Sequence, residues 1–370
     1  MAGAGGQDAP SSGLARSDRH PRALGLSALV THQPTPTPTP PSGHLGYGAN
    51  VADAYFSLYL VDMGFDWAKG FADPADRENP YGPWQNVANQ LNWFLADEGE
   101  GPRVPHVLLR IRSPGYTPPP LGSLPDFQQR CHDLAAYVKV NYKEDGPLET
   151  IAYEIWNEPN LKAEWGGRTP NPAEYVSLLA TAHQGITSAD PEAIVVSGGL
   201  ATGGDYDDRT FLRGMYQAGG AAYFDALGSH PYGGNTPPSE KSARVYFRRA
   251  EEQRAVMEEF GDTETSVWAT EFSWIVERPE DCSDEHTWAE VTEAQQADYL
   301  VAAFQHADAH WPWMGPMFLL LDFGVSPYYS KCEPLRWYSI YYSPYGDWGA
   351  TPVARPAASA LTAMEKHSAW

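Results

Sequence analysis

The sequence predicts a single (β/α)8 barrel with long βα loops. Three observations carry that expectation. Eight short apolar runs alternate with helix-like runs over about 325 residues, which favours parallel strands joined by helices. The glycine-rich phosphate turn that a doubly wound nucleotide-binding sheet carries after its first strand is missing. Several of the apolar runs end abruptly on polar side chains, as strands do where they open into an active-site mouth.

In chain order the strand-like runs are "GYGANV" (46–51), "LVDMGFDWAKGF" (60–71), "VPHVLLRIRS" (104–113) and "IAYEIWNEP" (151–159). They continue with "AIVVSGGL" (193–200), "FDALGSHPY" (224–232), "TSVWATEFSW" (265–274) and "GPMFLLLDFG" (315–324). Between them, "PAEYVSLLATAHQGITS" (172–188) reads as a helix with Pro172 in its first turn. "TEAQQADYLVAAFQHADAH" (292–310) is a second helix, and "ARPAASALTAMEKH" (354–367) a closing one. The glycine cluster "GGLATGG" (198–204) lacks the Lys-Ser/Thr of a phosphate loop and reads as a tight bend after a strand.

Residues 1–43 differ in kind. They carry "PTPTPTPPSG", an extended and semi-rigid Pro/Thr run, and read as a disordered leader and linker ahead of a catalytic domain over 44–370. The leader also holds "RHPRALGLSALV", basic residues before a short apolar stretch with no A-x-A-like cleavage site evident after it. The expectation is a secreted or cell-surface protein.

Composition narrows the function. With 47 acidic against 25 basic residues the net charge is -22, a field that repels phosphate backbones, so no nucleic-acid partner is expected. No run reaches the roughly 20 apolar residues of a membrane-spanning helix, so no membrane insertion is expected either. The 13 Trp and 21 Tyr are more flat apolar faces than a core alone asks for. Neither a C-x-x-C, an H-E-x-x-H nor a G-x-S-x-G occurs, and no cofactor or metal is expected. The acidic loop "GDYDDRT" (Asp205, Asp207, Asp208) reads as solvated carboxylates more readily than as a calcium site. Cys282 and Cys332, both in irregular segments, either pair or remain thiols. Oligomeric state leaves no mark in the sequence.

Two strands end on glutamate: Glu158 in "WNEP" and Glu271 in "WATEFSW". In a barrel the ends of the fourth and seventh strands face one mouth. Two carboxylates across a cavity suit glycosidic bond cleavage, one as proton donor and the other as nucleophile or water activator. Glu154, four residues before Glu158, reads as an internal polar contact, and Trp156 as packing.

"EIWNEPN" followed by "WATEFSW" resembles the glycoside hydrolases of clan GH-A, closest to the family 39 and cellulase-like family 5 branches, and the resemblance runs from about residue 46 to 367. It implies a retaining β-glycosidase acting on a β-linked polysaccharide or oligosaccharide of glucan or xylan type. On this resemblance Glu158 is the acid/base, Glu271 the nucleophile, and Asn157 a partner of the sugar 2-hydroxyl. "SHPYG" matches a His-x-Tyr of cellulase-like members, making His230 a contact to sugar hydroxyls and Tyr232 a donor to Glu271. Arg110, which matches the clan's buried arginine better than Arg112, is placed beside Glu271 to hold it ionised. Lys69 and Trp67 are further expected sugar ligands. The chain departs from the clan at the eighth strand, "MFLLLDFG", where a platform tryptophan is absent; Trp311 and Trp313 precede it, so either Phe323 or a loop aromatic such as Trp337 stands in, or the first subsite is unusual. The aromatic-rich "SPYYSKCEPLRWYSIYYSPYGDW" (326–348) is either a packed loop or a wall of sugar-stacking rings. A transglycosidase using the same covalent intermediate, and a carbohydrate-binding protein that has lost turnover, are the alternatives.

Overall fold

The computed structural model describes residues 44–96, 104–113, 117–119, 121–282, 286–326, 329–344, 351–368 and 370. The leader expected over 1–43 lies outside the described residues.

The barrel strands are β1 (Tyr47–Asn50), β2 (Trp67–Ala72), β3 (His106–Ile111), β4 (Thr150–Ile155), β5 (Ile194–Ser197), β6 (Leu200–Ala201), β7 (Ala226–His230), β8 (Ser266–Ala269) and β9 (Met314–Leu320). All pair in parallel, and the ring is closed, with β1 bonded to both β2 and β9. β5 and β6 form one stave interrupted at Gly198-Gly199, since β5 meets β7 at Val196↔Ala226 and β6 meets it at Leu200↔Ser229. Eight staves result, as expected. The crossovers carry α1 (Leu58–Asp62), α2 (Gln85–Phe94), α3 (Leu124–Val138), α4 (Pro172–Ala189), α5 (Asp208–Gln217), α6 (Arg249–Glu259) and α7 (Glu293–His310). After β9 come α8 (Pro334–Tyr338), an antiparallel pair of β10 (Tyr341–Tyr342) with β11 (Val353–Ala354), and α9 (Pro356–Ala363).

Local chemistry explains the boundaries. α4 starts at Pro172 because the Asn171 side chain accepts from the Ala173 and Glu174 amides. α7 starts at a capping box between Thr292 and Gln295. Two expectations need correction. Residues 60–62 of the expected second strand are helical, because Leu60 is buried on the barrel side of α1; Gly64 at φ +67 then turns the chain into β2. The closing helix is shorter than expected, since Val353 and Ala354 pair as a strand and Pro356 begins the helix.

The barrel interior is layered by the two-residue period of its strands. Trp67, Leu108, Ala152, Ala226, Trp268 and Phe318 form an apolar layer at the lower end, closed by the ring of Trp370 at 5.0 Å from Trp67. Two residues further along the same faces come Lys69, Arg110, Glu154 and Thr270, and His230 ends β7 at the same height. Four staves, those of β2, β3, β4 and β8, thus carry an apolar side chain below and a polar one above. Everything outside the ring packs into a second apolar core between strands and helices.

Cys282 and Cys332 are joined by a disulfide, closing a loop of 50 residues between the segments after β8 and β9. In the chain-entropy account a loop of that size stabilises the fold by about 4 kcal/mol. The 326–348 segment is a packed loop over its described residues. Trp337 Nε1 donates to the Lys331 carbonyl, and Arg355 lies over both the Trp337 and Tyr342 rings. Asp207 and Asp208 of the acidic loop are tied up by Arg249, which reaches them at 3.0 and 2.7 Å. Among the described residues no helix is long and apolar enough to cross a membrane.

Candidate active site

β4 ends at Ile155, and the next four residues turn sharply: Trp156 and Glu158 adopt φ values of 78° and 37°, a left-handed conformation that side chains other than glycine rarely take. The turn is held from outside. The Glu158 amide donates to the Gly199 carbonyl at 3.1 Å, and Asn160 bonds the Ala201 backbone on both its N–H and C=O. Gly199 has to be glycine, because a Cβ there would meet the His230 ring at 2.2 Å. The strand-end bend expected at 198–204 is therefore the wedge that fits β5 and β6 around His230.

Seven of the eight expected site residues converge at this end of the barrel. Glu271, just past β8, accepts from Arg110 Nη1 at 2.6 Å and from the Tyr232 hydroxyl at 2.9 Å, while Lys69 Nζ lies at 3.5 Å. Burial pushes its carboxyl up, but His230, Lys69 and Arg110 override that and hold it at about 2, so Glu271 is a carboxylate at any ordinary pH. Arg110 also donates to Asn157 Oδ1 and lies over the Phe71 ring at 4.7 Å. Arg112, two residues along the strand, is 5.9 Å from that same ring.

His230 is fully buried among three carboxylates. Its Nδ1 is 2.9 Å from Glu158 Oε1 and 3.9 Å from Glu271 Oε2, and its Nε2 faces Glu154 Oε1 at 3.7 Å, a charge contact too long for a hydrogen bond. Burial opposes its protonation, but Glu271, Glu154 and Glu158 push it up to about 9, so the ring is an imidazolium. Because both glutamates touch this one nitrogen, the two oxygens that face it are at most about 6.8 Å apart, the sum of those two spans.

Three expectations change. Trp67 is on the same face as Lys69 but one layer lower, fully buried against His106, Trp268, Phe318 and Trp370, and cannot reach a sugar. Lys69 is fully buried and pairs with Glu154 at 2.7 Å, so it supports the cluster from beneath and is not a sugar ligand. His230, with no exposed surface, is a partner of the carboxylates and not a contact to sugar hydroxyls.

Of the stand-ins for a strand-end platform, Phe323 is buried against Tyr329, and Trp337 is covered by Arg355. An aromatic that adjoins the site is Tyr338, whose ring is 4.9 Å from that of Tyr232. A second unexpected member is Glu164, in the short turn Ala163–Trp165 after β4. Burial, then Glu158, pushes its carboxyl up to about 7. Glu164 carries no periodicity or motif that marks it in the sequence, whereas Tyr338 belongs to the aromatic-rich run over 326–348.

No protein-family model matches the chain, and no curated protein matches it. Solved structures do. A family 39 glycoside hydrolase from the gut symbiont Bacteroides cellulosilyticus WH2 superposes with a TM-score of 0.56 at 17% identity, over 86% of this chain and 63% of that one. A glucosidase from Croceicoccus marinus gives 0.61 at 16% identity, over 87% and 68%. A family 39 β-xylosidase from Caulobacter crescentus gives 0.56 at 16%, over 88% and 72%. The chain thus spans somewhat less than two thirds of the first of these. Its structural neighbours include several glycoside hydrolases of family 39, a family of clan GH-A, and at these identities what the chain shares with them is the barrel.

Proposed function

We propose that the protein is a retaining β-glycosidase that hydrolyses β-linked glycosides of glucan or xylan type by double displacement. The observation that carries this reading is the pair Glu158 and Glu271 at one barrel mouth, both within reach of His230 Nδ1. An upper bound of about 6.8 Å between the oxygens that face it is compatible with the 5–5.5 Å of retaining pairs.

Glu271 is fixed by Arg110 and Tyr232 and kept ionised, which suits a nucleophile. It attacks the anomeric carbon while Glu158 gives its proton to the departing glycosidic oxygen. The product is a glycosyl ester on Glu271, whose negative charge has been consumed. Glu158, now a carboxylate beside the His230 cation, takes a proton from water, and the hydroxide equivalent displaces Glu271 with a second inversion. Asn157, anchored by Arg110, is the partner of the sugar 2-hydroxyl in this scheme. The fold neighbours include a glucosidase and a β-xylosidase, and these support the substrate class. The disulfide fits an oxidising compartment, and we propose export on that ground.

The test is hydrolysis of a panel of aryl β-glucosides, aryl β-xylosides and soluble β-glucans and xylans, with the first-formed product anomer read by NMR. A β-anomer formed first supports the reading; an α-anomer formed first, or no cleavage of any β-glycoside, contradicts it.

A further inference from the structure

The site contains two carboxyls that two-glutamate chemistry does not use, Glu154, which pairs with Lys69, and Glu164. Glu164 stands in a turn fixed on two sides. Trp156 Nε1 donates to the Glu164 carbonyl at 2.7 Å, and the neighbouring Trp165, 1% exposed, packs edge-on against Trp156 and Tyr175. The Glu164 side chain reaches back to the cluster, where it meets the Asn157 amide and feels the charges of Glu158, Arg110 and Glu271.

Its pairing differs from that of its neighbours. Glu154, Glu158 and Glu271 each have a basic group at 2.7, 2.9 and 2.6 Å. Among the described residues Glu164 has no ion-pair partner, and its Oε2 is buried with no hydrogen-bond donor. Glu154 Oε2 also lacks a hydrogen-bond donor but has the Lys69 ammonium at 2.7 Å, whereas Glu164 Oε2 has no cation beside it among the described residues. At a ligand site the missing donor is supplied by the ligand. Asn157 is complementary. Its Oδ1 is taken by Arg110, so its two N–H groups face away from the guanidinium.

We propose that Glu164 is a substrate-binding residue: with the Asn157 N–H it clamps one ring hydroxyl, the one beside the anomeric carbon, so that the site selects neutral sugars with a free hydroxyl there. A hydroxyl donates once and accepts at the same time, which matches one free acceptor next to one free donor. A deoxy, fluoro or ether group cannot donate, and a carboxylate on the sugar would meet a cluster of four carboxyl groups. The position follows from the neighbours. The anomeric carbon must lie between Glu158 and Glu271, and Asn157 adjoins the first in sequence while sharing Arg110 with the second. Glu164's raised pKa is consistent with a carboxyl that has no cation of its own. This inference rests on the glycosidase reading above.

The experiment compares the full-length protein with Glu164→Gln and Glu164→Ala on a matched pair of aryl β-glycosides, one complete and one lacking the hydroxyl beside the anomeric carbon. Both variants should melt within a few degrees of wild type. On the complete glycoside kcat/KM should fall roughly 10- to 100-fold in Glu164→Ala and by less in Glu164→Gln, whose amide oxygen still accepts, and on the deoxy glycoside by less than about 3-fold in either. Equal losses on both substrates, or no loss on either, would overturn the proposal while leaving the hydrolase reading intact. If wild type cleaves neither glycoside, the hydrolase reading fails by itself. The same ratio is then read in Kd by tryptophan fluorescence: a hydroxyl-dependent loss of binding supports the Glu164 clamp, and equal or absent binding overturns it.

Discussion

His230 Nδ1 lies 2.9 Å from Glu158 Oε1, and the ring has no exposed surface. Held as a cation up to about pH 9, it stands between the two catalytic candidates and balances them. His230→Asn removes the largest of the charges that depress Glu271. The acidic limb of the kcat/KM profile should then move up from near pH 2 toward the ordinary carboxylate value, and activity should fall by roughly 100-fold. A pH–rate profile on an aryl glycoside checks this; an unchanged acidic limb contradicts it.

Tyr232 holds the other Glu271 oxygen at 2.9 Å. Tyr232→Phe keeps the ring against Tyr338 and removes only the hydroxyl. The expected result is a loss of roughly 10- to 100-fold in kcat, as for a hydrogen bond to a charged group, with the melting temperature almost unchanged.

Lys69 and Glu154 form a fully buried pair at 2.7 Å. Replacing one member leaves an uncompensated charge, so Lys69→Met should destabilise the fold by about 3–5 kcal/mol. Adding Glu154→Gln to Lys69→Met should restore most of that loss. Urea denaturation of both single variants and the double variant measures the coupling directly.

His106 marks the lower layer by its pH response. Burial, with rings of Trp67 and Trp370 at 5.3 and 5.9 Å, lowers it to about 4. Its folded value is below its unfolded one of 6.5, so between those values the unfolded chain binds the extra proton. The neutral ring's contribution is complete above pH 6.5 and is lost as pH falls toward 4. His106→Gln should flatten that part of the stability–pH curve, read as denaturation midpoints from pH 7 to 4.

These residues also show where sequence was legible. Arg110 is legible by its match to the clan's buried arginine, and Trp67 is grouped with Lys69, with which it shares a strand face. Face is a local property, but depth is set by the register between strands, here Trp67 opposite His106 and Phe71 opposite Arg110. Trp67 therefore fell a layer below the site that its face suggested. His230 and Lys69 were legible as site members, but not as buried ones. Their burial depends on Glu154 and Glu271, which arrive from strands far away in sequence. Glu164 lies in a three-residue turn and Tyr338 at the end of a five-residue helix, both too short for a periodicity to report which way a side chain faces. The cysteines showed the opposite limit: their types and segments were plain, but pairing needs the closure of a 50-residue loop.

The two glutamates remain the centre of the account, and chemical rescue tests them most directly. With an activated aryl β-glycoside and azide, Glu158→Ala should recover activity and yield the β-glycosyl azide. Glu271→Ala, inactive without azide, should yield the α-glycosyl azide. That pair of products assigns Glu158 as acid/base and Glu271 as nucleophile. Full activity in either variant without azide, or products of the opposite anomeric form, would contradict the assignment.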